Sequence, residues 1–301
     1  MKLNNLKESP LVQGATEAKR PTRWWVAILF TVIVCILILG TAVSLLVGLV
    51  YDPPPNSIGA QLIETAMMLV TFLAVAAWVR FKEGRPVNSL GFRGSGALRR
   101  FVIGVAIGAG LLTVSVLLII ALGQYEMAPP VEGGLAGIAA LLPALILLVA
   151  HWTVQSSTEE TLMRGFLVQT NALQMPGWLA ILIPGIIFSL LHISGTGFSE
   201  PISIINILFF ALFTSFIALR QGSLWMVCGI HTGWNWCQGN LFGVPVSGHQ
   251  WDTGVFHFVP TETAAHALSG GDFGPENSLV VTIVWGIAMV VAYLYFRRES
   301  V

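Results

Sequence analysis

The sequence predicts an all-α protein, a polytopic transmembrane bundle of about eight helices, and three observations predict it. Hydrophobic residues fill 55% of the 301 positions and charged residues only 10%, with a mean hydropathy of +0.78; soluble domains carry about 25% charge. Apolar runs near the ~20 residues that cross a hydrocarbon core recur along almost the whole chain. There is no room for a closed barrel, so the backbone must satisfy its hydrogen bonds inside helices.

The expected order begins with a polar arm, 1–23, carrying Lys2, Lys7, Lys19, Arg20 and Arg23. Spans at 24–50, 59–79 and 101–122 build an N-terminal helical section, 24–134. The first run far exceeds the ~7–15 apolar residues of a signal peptide, so it is expected to stay as an anchor. Asp52-Pro53-Pro54-Pro55-Asn56 breaks the chain after it. A helical core, 135–240, holds spans at 135–154, 178–192, 202–219 and 223–238. The stretch 135–174 is too long for one straight span, since it would reach about 60 Å at 1.5 Å per residue. Ser157-x-x-Glu160 reads as a capping box, which puts a break near Ser156, or else the helix continues into the cytoplasm. A non-spanning loop, 241–276, is rich in Gly and Pro, and a last helix with a basic tail fills 277–301.

Charge sets orientation. Lys and Arg together equal Asp and Glu at 15 each, which points to no nucleic acid; the expected partners are the bilayer and whatever reaches a site inside it. Arg80, Lys82, Arg85, Arg93, Arg99 and Arg100 cluster between the second and third spans, Arg220 marks a later turn, and Arg297 and Arg298 end the chain. With the arm, these all fall on one side if crossings alternate. By the positive-inside rule that side is the cytoplasm, with both termini there and the plasma membrane as the expected location. Cys35, Cys228 and Cys237 form no paired motif and read as buried thiols.

Ionisable groups at membrane depth cost about 2.5–3.5 kcal/mol each, so the few that remain carry the functional signal. They are Glu159, Glu160 and Arg164, then His192, then His231 with Asn235. Glu160 and Arg164 are spaced to pair along one helix face. Glu159 is rotated about 100° away and reads as the free carboxylate, suited to a general base. Glu159 and His192 lie almost equally far from the turn at Met175-Pro176-Gly177, each about 25 Å along its helix, so they should sit level. His231 and Asn235 share a face, and paired donors suit an oxyanion. Other polar residues read as structural: His151 as an interfacial ring beside Trp152, Glu64 as a helix-to-helix hydrogen bond, and His249, Asp252, His257 and His266 as solvated loop residues without metal spacing.

Three motifs on successive apolar segments resemble those of the CAAX prenyl endopeptidase and bacteriocin-processing (CPBP) family of intramembrane glutamic proteases. They are Glu159-Glu160-Thr161-Leu162-Met163-Arg164, Phe188-Ser189-Leu190-Leu191-His192 and His231-Thr232-Gly233-Trp234-Asn235. The resemblance covers about 135–239. It implies an intramembrane endopeptidase acting on membrane-associated peptides or lipidated, CAAX-type proteins. Glu159 and His192 would activate a water, His231 and Asn235 would stabilise the oxyanion, and Glu160 and Arg164 would support them. Members of the family have been described as metal-dependent, and Glu and His are acceptable Zn ligands. The metal-free version, with no cofactor, is preferred because Asn235 is a poor zinc ligand and a good donor. Two other classes compete: a transporter component whose buried Glu and His relay protons or bind substrate, and a non-catalytic scaffold or immunity protein with the same fold.

Overall fold

The computed structural model describes residues 3–128, 134–193 and 199–298. A short helix α1 (Pro10–Thr16) precedes eight rods. These are α2 (Trp24–Gly48), α3 (Ile58–Glu83), α4 (Ala97–Ala121), α5 (134–172), α6 (Gly177–Leu191), α7 (Pro201–Gln221), α8 (Trp225–Trp236, running on through a π turn at Cys237–Leu241) and α9 (Leu279–Arg297). Among the described residues, six are long and apolar enough to cross a membrane; α6 and α8 are shorter. The 15 residues of α6 reach about 22 Å at 1.5 Å per residue, short of a ~30 Å core. Its C-terminal end, where the half-buried His192 stands, therefore stops short of a full crossing.

The expected break near Ser156 does not occur. Helix α5 runs unbroken through that point as α-helix to Glu160, as π-helix over Thr161–Val168 and as α-helix again to Ala172. Hydroxyls beside the expected cap bond back along the helix: Thr158 donates to Val154 O at 2.8 Å and Thr161 to Ser157 O at 2.7 Å. Residues Thr161–Ala172 are buried throughout, which lets the helix outrun the membrane core inside a protein jacket.

That jacket is built partly from the N-terminal arm, which the sequence presents as polar. Leu6, Leu11 and Val12 are buried, and Ser9 Oγ donates to Leu219 O at 2.6 Å. Arg85, expected on a basic loop, is fully buried: its Nε meets Glu83 Oε2 at 2.6 Å and its Nη1 donates to Gln169 Oε1 at 2.8 Å. The arm, the 84–92 segment and the turns near 175 and 220 thus gather at one end of the bundle. The C-terminal end joins them, with the Arg220 guanidinium 5.6 Å from the Tyr295 ring.

At the other end the 241–276 segment folds back over the helices. Its strand β2 (Phe258–Pro260) pairs antiparallel with β1 (Tyr125–Met127), Tyr125 opposite Pro260. Trp251 is buried and stacks on His249 at 6.1 Å. The loop that reads as solvated is therefore partly a cover. The three cysteines are free and buried.

Helix α8 owes its place to glycine. Gly104 and Gly108 on α4 face Gly229 and Gly233 on α8, two small-xxx-small pairs that let backbones touch where no hydrophobic effect drives association. A Cβ at Gly108 would overlap Ile230 O, one at Gly229 would overlap Phe101 O, and one at Gly233 would overlap Val105 O. His231 and Asn235 ride on this contact. Replacing Gly108 by Leu should lower stability by about 3 kcal/mol through overpacking, read as an earlier thermal transition in detergent; an unchanged transition would contradict the close approach.

Candidate functional site

One buried carboxylate oxygen joins two helices. Arg164 Nη1 lies 3.2 Å from Glu160 Oε1 along α5, as the i, i+4 spacing predicts. The same Oε1 lies 3.1 Å from His231 Nδ1 on α8. Beyond the ring, His231 Nε2 lies 3.7 Å from Glu159 Oε2. Arginine, glutamate, imidazole and glutamate thus follow one another in a chain. Glu159 Oε2 makes no hydrogen bond among the described residues; the imidazole of α8 is the nearest group that could pair with it. An ionised carboxylate only accepts, so His231 Nδ1 carries a hydrogen. The Arg164–Glu160 pair balances its own charge, so the buried carboxylate that holds His231 is already compensated.

The π segment starts at Thr161, directly after Glu160; such bulges recur at functional sites because they re-aim side chains. Arg164 lies against two neighbouring aromatic rings, its guanidinium 5.0 Å from Phe188 on α6 and 5.8 Å from Phe210 on α7. Phe188 also stands edge-on to His192 at 4.5 Å and Phe210 to His231 at 4.8 Å. The F-x-x-x-H pattern thus has a physical sense: one phenyl ring fixes an imidazole four residues on and shields the arginine.

His192 Nδ1 is 2.7 Å from Phe188 O. A carbonyl accepts, so Nδ1 carries the hydrogen and Nε2 presents a lone pair. Asn235 Nδ2 donates to Gln155 Oε1 at 3.1 Å, which holds its amide in place and leaves a second amide hydrogen. Glu159, His192, His231 and Asn235 all line one cavity of about 280 Å³, close to the lower end of small-ligand pockets at about 300 Å³. The structure brings the four together at one space, with Glu160 and Arg164 packed behind. The cavity holds an acid with an imidazole beside it, a second imidazole with a lone pair, and an amide donor.

Several neighbours escape a reading of the sequence. Gln155 lies four residues before Glu159, so its place on the same face was open to helical periodicity. Phe210, an apolar residue in an apolar span, gave no signal. Glu64 does not make a helix-to-helix hydrogen bond: its Oε2 stands 3.8 Å from Nε2 of His151, and Glu64 lines the cavity. His151 is buried, with Nδ1 2.8 Å from Thr65 Oγ1, where an interfacial ring was expected. The loop residues Ser247, His249, Trp251 and Glu276 also reach the cavity; Glu276 Oε2 accepts from Ser247 N at 2.6 Å. Among the described residues no three His, Cys, Asp or Glu side chains are arranged to hold a metal ion. Nδ1 of His231 is committed to Glu160, which leaves Nε2 as the ring nitrogen turned toward Glu159 and the cavity.

A family model described as Rce1-like, type II CAAX prenyl endopeptidase, matches residues 140–237. That stretch contains all three motifs. No curated protein and no solved structure matches the chain. Removing one member of a buried ion pair costs about 3–5 kcal/mol, so Glu160→Gln should lower the unfolding transition in detergent well below that of Glu159→Gln. Equal stability of the two variants would contradict the bridging role of Glu160.

Proposed function

We propose that the chain, whose residues 140–237 match the Rce1-like type II CAAX prenyl endopeptidase model, is an endopeptidase of the CPBP family cutting membrane-associated substrates inside the bilayer. Prenylated, C-a-a-X-type proteins are the substrate class that the family implies. The single observation that carries the proposal is the convergence of Glu159, His192, His231 and Asn235 on one cavity, with the Arg164–Glu160 pair behind them.

The chemistry follows from where the hydrogens sit. Glu159 takes a proton from a water that the lone pair of His192 Nε2 helps to hold. The resulting hydroxide attacks the scissile carbonyl. His231, whose Nδ1 is anchored on Glu160, turns Nε2 toward the developing oxyanion, and the second amide hydrogen of Asn235 supports it. Both groups are fixed before substrate arrives, and the protein walls limit competing water, so their dipoles act at low dielectric. The scheme runs without a metal because Glu159 supplies the base and Asn235, a poor zinc ligand, supplies a donor for the oxyanion. The basic ends of the bundle support an orientation with both termini in the cytoplasm, in the plasma membrane.

Cleavage of a prenylated or apolar peptide in proteoliposomes tests the reading. Glu159→Gln should lower turnover by about 10²–10⁴-fold and Asn235→Ala by about 10²–10³-fold, with both variants folded. A transporter would lose flux without any peptide cleavage by the wild type, and a scaffold would lose nothing.

A further inference from the structure

Glu64, which the cleavage scheme leaves idle, stands at the same cavity, with the buried His151 behind it. Glu64 on α3 borders it together with Glu159, and the two carboxylates interact electrostatically. On the far side of Glu64 the buried ring of His151 places Nε2 3.8 Å from Glu64 Oε2. The other ring nitrogen shows where the hydrogens are. Thr65 Oγ1 lies 2.8 Å from Gln61 O and 2.8 Å from His151 Nδ1. A carbonyl accepts only, so the single hydroxyl hydrogen goes to Gln61 and Nδ1 must donate to Thr65. Nε2 of the neutral ring is then a lone pair 3.8 Å from the Glu64 carboxyl group, near enough to take up its hydrogen after a small approach.

The same arrangement occurs twice. His231 also donates through Nδ1 and turns Nε2 toward a glutamate, 3.7 Å away. The difference is the backing group. Behind His231 stands the carboxylate of Glu160, a charged partner for the ring. Behind His151 stands a neutral hydroxyl, and separated charges in apolar surroundings cost more there than a neutral acid beside a neutral imidazole. Two carboxyl groups at one cavity, each with an imidazole beside it and with different backing groups, are the arrangement that divides base from acid in a hydrolytic site.

We infer that Glu64, backed by His151 and Thr65, is the general acid of the cleavage proposed above, on which this step rests. As water's oxygen bonds to the carbonyl carbon, its proton passes to Glu159. The C–N bond then breaks while the leaving nitrogen takes the proton of Glu64. The products are a carboxylic acid and an amine. The proton now on Glu159 returns across the cavity to the Glu64–His151 pair, which restores both groups. His192 cannot take this role directly, because its Nδ1 hydrogen is given to Phe188 O and its other nitrogen holds a lone pair.

The titratable groups around Glu64 are His151 and Glu159 from α5, His192 from α6, His231 from α8, and His249 and Glu276 from the 241–276 segment; α2 brings no ionisable side chain to the cavity. A required acid makes the rate fall as pH rises and its proton leaves. The test is kcat and KM against pH for the full chain in proteoliposomes, with an uncharged peptide. Glu64→Gln should lower kcat by about 10²-fold or more with KM little changed, and should abolish the fall at high pH. Glu64→Asp should recover part of both, which a merely structural role would not. Infrared spectra at neutral pH should show a neutral-carboxyl band that Glu64→Gln removes. Wild-type kcat in Glu64→Gln, or a slower variant with an unaltered high-pH fall, overturns the inference while leaving the protease reading standing. A wild type that cleaves nothing overturns the protease reading and this step with it; the infrared band then decides separately whether Glu64 holds the proton.

Discussion

Everything at the centre of this bundle depends on a single fully buried oxygen, Glu160 Oε1, which Arg164 and His231 approach at 3.2 and 3.1 Å. A carboxylate taken out of water is tolerable only with such partners, and each partner is tolerable only because of the carboxylate. The mutual dependence ties α5 to α8. It also fixes which nitrogen of His231 carries hydrogen and which faces Glu159. Breaking it would leave an uncompensated charge in a place with no water to solvate it.

The rest of the fold serves that contact. Glycines on α4 and α8 bring two backbones together, so that His231 arrives at the depth of Glu160. Phe188 and Phe210 cover the guanidinium face and press on the two imidazoles. The N-terminal arm and the buried Arg85–Glu83 pair enclose the far end of α5, beyond the length a membrane would shelter. The 241–276 segment closes the opposite end and contributes Trp251 and Glu276 to the cavity.

Hydropathy made the rods legible, because the cost of an unsatisfied backbone in lipid leaves helices as the only solution. Helical spacing made the Glu160–Arg164 pair legible too, since it lies within one helix. What lies between helices was not. Periodicity gives the angle of Glu159 relative to Glu160, but not the rotation of α5 relative to α8, so the approach of His231 to both glutamates could not be read. Glu64 and His151 were hidden for the same reason: they lie on different helices, and each alone resembles a tolerated polar residue. The Ser156 break failed because hydroxyls can bond to the preceding turn as readily as they can cap a new one. The arm was misread because its apolar residues, Leu6, Leu11 and Val12, are few and scattered among charges.

The account's central claim is that Glu159 and His231 act as one unit anchored on Glu160. A double-mutant cycle on kcat/KM for peptide cleavage, with Glu159→Gln, His231→Ala and the combination, measures this most directly. Residues that work as a unit are non-additive, so the double variant should be about as slow as the slower single one. Losses that simply multiply would mean that the two side chains contribute independently, and would contradict it.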